Sequence, residues 1–204
     1  TIAAREGGSD IEMNPRLRTA VQNAKGQNMP KDNIERAISK ASSDDSILQE
    51  MSFEGYGTGG VAVFVECLSD NNNRTVSNVR AIYTKYGGSL GKNGSLSFLF
   101  DRKGVFTIPR GDHDLEELEL EMIDAGIDEI EDAGEVLMIY CPLESFGAVQ
   151  SKLEEMEIEP ENAELQRIPN NTQKVDVDSA KTVMKMIDAF EDDDDVQNVF
   201  HNME

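Results

Sequence analysis

The spacing of apolar positions changes twice along the chain. Near the start it is helical. Asn14-Pro15 supplies a cap followed by proline at the first helical position, and Leu17, Val21 and Ala24 then recur at helical intervals, which predicts a helix over 14–27. Pro30 opens a second helix over 30–41, with Ile34, Ala37, Ile38 and Ala41 on one face. "GQNM" joins the two into a hairpin. The hairpin alone has too little core to be stable and needs a third helical partner. Thr1 to Glu6 reads as the tail of a helix stopped by Gly7-Gly8, so the native protein is expected to begin earlier.

Beyond the polar "SSDDS" (42–46) the period becomes that of strands. "MSFE" (51–54) and the β-branched run "VAVFVECL" (61–68) predict paired strands, the second a central one. "SDNNNR" turns into a helix marked by Val76, Val79, Ile82, Tyr83 and Tyr86 and ended by Gly87-Gly88. "SLSFLF" (95–100) alternates and reads as a strand. From 103 a second pattern follows: strand "GVFTI", a helix capped by Asp114 with Leu115, Leu118, Met122 and Ile123, a hairpin of "DEIED" and "EVLMIY" around Ala133-Gly134, a helix with Phe146, Val149, Leu153 and Met156, and a strand within 158–168. That order, β-α-β-β-α-β, is the ferredoxin-like arrangement. A last helix (Ala180, Val183, Ile187, Phe190) and the strand "VQNVFH" complete the chain. The segments 48–102 and 172–204 together make one discontinuous α/β domain, with 103–169 inserted into it and 1–44 as a separate helical domain.

Charge changes this picture. The 204 residues carry a net charge of −21, unevenly spread. Residues 1–42 hold seven basic and five acidic side chains, whereas 103–169 hold four basic and nineteen acidic. An acidic surface repels phosphate backbones, so a nucleic-acid contact has to use the basic end or a local patch, which short-range screening permits. Arg16, Arg18, Lys25, Lys31, Arg36 and Lys40 crowd the helical hairpin. They read either as a solvated polar face or as phosphate contacts, which need cations but little base reading. Arg74 and Arg80, six apart on one helix beside "SDNNNRT", are a further candidate pair for a phosphate or carboxylate, against a reading as turn and cap chemistry.

Other motifs carry less. "FEGYGTGG" (53–60) has the glycine spacing of a dinucleotide loop, but its glycines precede a strand instead of opening a helix, and position 80 is Arg where an acid is required. It reads as a turn between strands. "EDDDD" (191–195) lacks the spaced ligands of a calcium loop and reads as a solvated acidic turn. His113 and His201 show no nucleophile pattern, and Cys67 and Cys141 show no metal spacing. Both cysteines are expected to be buried and reduced, which suits the cytosol. No run approaches 18 apolar residues, so no transmembrane helix is expected. No cofactor, metal or catalytic residue is assigned.

Five blocks, "NPRLRTAVQNAKGQNMPKDNIERAI", "FEGYGTGG", "VECLSDNNNRTVSNVR", "GGSLGKNGSLSFLFDRKGV" and "DDVQNVFHN", together resemble the YebC family. That family is described as probable transcriptional regulators, with a mitochondrial branch activating translation, and this chain looks like a bacterial member. The resemblance implies an α+β fold: an N-terminal helical domain followed by two ferredoxin-like α/β domains around a cleft, the middle one discontinuous. It also implies a short basic N-terminal arm, which this sequence lacks. The expected function is a non-enzymatic regulator of gene expression that binds nucleic acid, DNA or ribosomal RNA, in the cytoplasm. The family's label favours DNA. The acidic domains fit poorly along duplex DNA and tilt the physical reading toward the ribosome. An enzyme using the cleft and the "SDNNNR" turn, and an adaptor without nucleic acid, are the competing classes.

Overall fold

The structure, a computed structural model, describes residues 1–41 and 48–204. The polar segment "SSDDS", read above as the break between helical and strand periods, lies outside the described residues. The chain begins with helices α1 (Ile2–Gly7), α2 (Pro15–Gly26) and α3 (Lys31–Ala41). Strands β1 (Gln49–Tyr56) and β2 (Ala62–Ser69), helix α4 (Asn72–Lys85) and the short strand β3 (Ser89–Leu90) follow. Next come β4 (Phe100–Pro109), α5 (Leu115–Met122), β5 (Glu129–Asp132), β6 (Val136–Pro142), α6 (Phe146–Glu155) and β7 (Asn162–Pro169). Helix α7 (Val177–Glu191) and strand β8 (Val196–His201) close it. The chain divides into two units, Thr1–Asp45 with Arg102–Gln166, and Ser46–Asp101 with Arg167–Glu204.

In the first unit α1 is the third partner that the helical hairpin needs. Ala3 and Ala4 pack with Leu17, Val21, Ile34 and Ala41. Asn14 fixes the arrangement. Its side-chain oxygen accepts from the Leu17 N–H (3.0 Å), capping α2. Its amide nitrogen donates to the carbonyls of Ala3 (2.7 Å) and Gly8 (2.8 Å). One buried amide thus satisfies helix-end groups of both α1 and α2.

The same unit holds a sheet in the order β5-β6-β4-β7. In chain order these are the second, third, first and fourth strands of the module, which is the ferredoxin-like layout. Leu118 and Met122 of α5 and Val149 and Leu153 of α6 all pack with Phe106, Ile108, Leu137 and Ile139, so both helices cover one sheet face. Helix α2 meets the edge strand of this sheet: the Asn23 side chain accepts from the Ala163 N–H (2.9 Å) and donates to the Ala163 carbonyl (2.9 Å). An amide so placed occupies part of an otherwise open strand edge.

The second unit has a sheet in the order β3-β1-β2-β8, and its pairings are antiparallel. β2, β3, β1 and β8 take the places that β4, β5, β6 and β7 take in the other sheet. The layout is therefore ferredoxin-like again, with the strand that would be third in the chain coming first. α4 and α7 lie on one face, where Val61, Val63 and Val65 meet Val79, Tyr83, Val183, Met186 and Phe190. Tyr83 is buried with its ring edge-on to Phe190 (5.0 Å between centroids), and its hydroxyl donates to the Val63 carbonyl (2.8 Å), so the polar handle is satisfied.

One expected element is absent. "SLSFLF" (95–100) is not a strand: β3 covers only Ser89–Leu90, and 91–99 form a looped segment before β4. Leu96 and Phe100 are buried against Ala62 and Phe64, whereas Phe98 between them is exposed. The backbone of this stretch is held by a side chain. Glu54 accepts from the N–H groups of Gly94 (2.7 Å) and Leu96 (2.5 Å) in place of a strand partner.

Candidate nucleic-acid interface

The glycine-rich stretch forms the connection from β1 to β2. Gly59 and Gly60 have φ of 75° and 77°, the left-handed region that only glycine enters without strain. The nearest downstream helix, α4, begins at the far end of β2. Eight strand residues, roughly 26 Å, separate it from the glycines. The N-terminal turn of α7 does lie beside Gly59, close to Ser179, but its Asp178 and Ser179 N–H groups are already taken by the Asp176 carboxylate.

At "SDNNNR" the side chains are engaged with one another. Asn71 caps α4 by accepting from the Arg74 N–H (3.1 Å). The Ser69 hydroxyl accepts from the Asn71 N–H (3.0 Å). Arg74 reaches the Asp195 carboxylate through two nitrogens (2.7 and 3.1 Å), and also Asp70 and Ser69. Thr75 donates to the same Asp195 (2.8 Å). These bonds, the Arg74 guanidinium first, hold the Asp195 carboxyl below the usual carboxylate range. Arg80 sits on the exposed side of α4, and six helical residues turn it about 120° away from Arg74. The two arginines therefore share no face, and Arg74 is committed to an internal ion pair.

The acidic turn is likewise engaged internally. Asp195 belongs to Arg74 and Thr75, and Asp193 accepts from Asn78 (3.0 Å) and from the Asp195 N–H (3.0 Å). Among the described residues no group of three or more His, Cys, Asp or Glu side chains is arranged to hold a metal ion. Cys67 and Cys141 are buried and free, and burial pushes their thiols up to about 12 and about 11. Burial lowers the His201 imidazole, whose Nδ1 accepts from the Met203 N–H (3.2 Å). His113 lies in the turn before α5.

The six hairpin cations separate into distinct environments. Arg16 is ion-paired with Glu6. Arg18 donates to the Glu12 carbonyl (2.8 Å) and lies 4.0 Å from Glu154. Lys31 pairs with Glu35 one turn on (3.5 Å). Lys25 is exposed beside a cleft that is lined also by Arg18, Glu12, Glu159 and Glu161, a mixed lining that offers no net attraction to phosphate. Arg36 and Lys40 share one helix face. Ile34 and Ala41 turn inward on α3, and helical geometry places Arg36 and Lys40 on the opposite side, one turn apart, with Asn33 in the same stripe and one exposed acid, Asp32, a turn before Arg36. All three stripe residues are exposed. The stripe is legible in the sequence once the inward face is fixed.

Two further features lie outside these candidates, the first legible in the sequence and the second only in the structure. Residues 71–100 contain Arg74, Arg80, Lys85 and Lys92 and no acid, in a chain with 40 Asp and Glu. Within that stretch Phe98 is 70% exposed.

Comparison with known proteins bears on what these surfaces serve. Residues 1–44 match the TACO1/YebC protein N-terminal domain, and residues 48–203 match the TACO1/YebC second and third domain. A relative from Cytophaga hutchinsonii is 53% identical over 99% of this chain and 85% of its own length. One from Porphyromonas gingivalis is 52% identical over 100% of this chain and 85% of its own. Both are named probable transcriptional regulatory proteins. A crystal structure of a conserved hypothetical protein from Aquifex aeolicus superposes with a TM-score of 0.83 at 42% identity, covering 99% of this chain and 84% of that one. Among the described residues no helix is long and apolar enough to cross a membrane. With both family segments matched in order along almost its whole length, this chain belongs to the TACO1/YebC family.

Proposed function

We propose that this chain is a non-enzymatic regulator of gene expression that holds nucleic acid by its phosphates, with the outward face of α3 as the contact. The observation that carries the reading is the exposed stripe of Asn33, Arg36 and Lys40. It lies in the part of the sequence where bases outnumber acids, seven to five over 1–42. Two cations one turn apart and an amide suit backbone positioning more than base readout. Duplex DNA is the first target, in keeping with relatives named probable transcriptional regulatory proteins. The non-catalytic reading is supported by thiols held protonated in the core and by acids committed to internal partners. A cytoplasmic site of action fits buried, unpaired thiols. The test is anisotropy of a mixed-sequence 20-base-pair DNA duplex titrated with the protein from low to moderate salt. Binding that weakens with salt supports the reading; no binding to the duplex at low salt overturns its DNA form.

A second reading has its own observation. Residues 103–169 carry nineteen acids against four bases. Such a module opposes a lengthwise contact with duplex DNA and suits basic proteins. A ribosome-associated translation factor meets both conditions, because ribosomes present phosphate and basic protein together. Sedimentation of the native protein from gently lysed cells separates the readings: travel with ribosomal particles supports this one, and retention at the top of the gradient at low and moderate salt opposes it.

A further inference from the structure

We propose that the loop 91–99 is a stacking platform for an unpaired nucleotide base, with the Phe98 ring as the stacking face and Lys92 and Asn93 as its polar flank. The inference rests on the nucleic-acid part of the function proposed above and adds a second, separate contact. The loop is built as a rigid support. Glu54 is buried, and its two carboxylate oxygens accept from the N–H groups of Gly94 and Leu96. The Glu54 carbonyl accepts from the Gly91 N–H (2.7 Å). Gly94 turns the chain at φ 86°. Leu96 is fully buried against Ala62, Phe64 and Phe100. The far side is tied by Asn170, which donates its backbone N–H to the Leu99 carbonyl (2.9 Å) and its side-chain amide to the Phe98 carbonyl (3.3 Å).

On this support Phe98 projects 70% exposed, although Leu96 and Phe100 on either side are buried. A large apolar ring held out by a fixed backbone has its ordering cost already met, as at binding hot spots. The surrounding chemistry selects the partner. The loop's one charge is Lys92, which is exposed and next in sequence to Asn93, and the nearby Asp101 carboxylate accepts from the Asn170 amide (3.3 Å). An exposed ring on a loop whose own charge is a cation is the combination that holds single-stranded nucleic acid, because every base offers a π-face. A duplex hides those faces, so this contact requires an unpaired base.

The test uses the full chain and a 12-nucleotide single-stranded RNA carrying one 2-aminopurine, whose emission is quenched on stacking. Binding is read by anisotropy of a terminal dye. The expected result is quenching by the wild type, F98A binding weakened about 5- to 150-fold with quenching lost, and F98W retaining both. Circular dichroism and thermal melts of F98A are expected to match wild type, since the ring contributes little to the core. The variant R36E/K40E separates the two proposals. Loss of affinity in R36E/K40E with F98A unchanged overturns the platform and leaves the α3 contact standing. Quenching retained in F98A overturns it as well. Loss in F98A with R36E/K40E unchanged upholds the platform and shows that α3 takes no part in holding the single strand, leaving its duplex contact to the duplex measurement.

Discussion

Arg74 and Asp195, 121 residues apart in the chain, form a two-point ion pair that ties the start of α4 to the turn between α7 and β8. The pair joins the two chain segments of the discontinuous unit. Asp195 is largely buried while Arg74 is half exposed, so the carboxylate depends more on the bond. D195A is expected to cost about 1.5–3 kcal/mol, the range for hydrogen bonds to a charged group. The pH dependence has a definite sign. The Asp195 carboxyl is held below its ordinary value, so its contribution is present above about pH 4 and is lost as pH falls through the depressed value. Urea unfolding at pH 7 and at pH 3 is expected to show a smaller loss of stability on acidification for D195N than for wild type.

Asn14 separates capping from cross-linking. Aspartate caps a helix as well as asparagine does, but it cannot donate to the Ala3 and Gly8 carbonyls as the Asn14 amide does. N14D is therefore expected to melt below wild type despite an intact cap, and N14A to lose about 1–3 kcal/mol. Equal melting temperatures for N14D and wild type would show that the two donated bonds contribute nothing.

Glu54 is expected to govern the loop more than the fold. Truncation to Ala removes the acceptor of the Gly94 and Leu96 N–H groups. Hydrogen exchange of E54A is expected to accelerate in 91–99 while the β1–β2 ladder stays protected, with a global cost of about 1–3 kcal/mol. Uniform acceleration across the sheet would contradict this local role.

The thiols supply a check on the non-catalytic reading. With Cys67 pushed up to about 12 and Cys141 to about 11, both stay protonated at pH 8. A disulfide reagent is expected to label neither in the native protein and both in urea. Rapid native labelling of either would indicate an activated thiol.

Much of the fold is legible in the sequence because local signals and burial agree there. Val61 to Leu68 is apolar but for Glu66 because it becomes a central strand with neighbours on both sides, and Asn14-Pro15 and Asp114 announce helix starts that the structure keeps. The stretch 95–100 misleads for a physical reason. Of its alternating apolar residues only Leu96 and Phe100 are buried, Phe98 being exposed, and the backbone bonds to a buried carboxylate some 40 positions earlier in place of a strand. The candidate site is less legible. Charge counting groups Arg16, Arg18, Lys31 and Arg74 with Arg36 and Lys40, but it reveals neither the acids beside the first four, Glu6, Glu154, Glu35 and Asp195, nor the helix face that Arg36 and Lys40 share. Phe98 carries no sequence signal of exposure, because its neighbours Leu96 and Phe100 are core residues.

The central claim is that the outward face of α3 holds phosphates, and charge reversal there tests it most directly. R36E/K40E is compared with K181E/K185E, which makes the same change in net charge at exposed positions of α7. Affinity for a 20-base-pair duplex is measured by anisotropy across salt concentrations. The account predicts that R36E/K40E loses affinity and that its salt slope becomes shallower by about 2, near 0.9 for each phosphate contact removed, while K181E/K185E stays close to wild type. Equal losses in the two variants would reduce the effect to overall charge, and an unchanged R36E/K40E would contradict the claim outright.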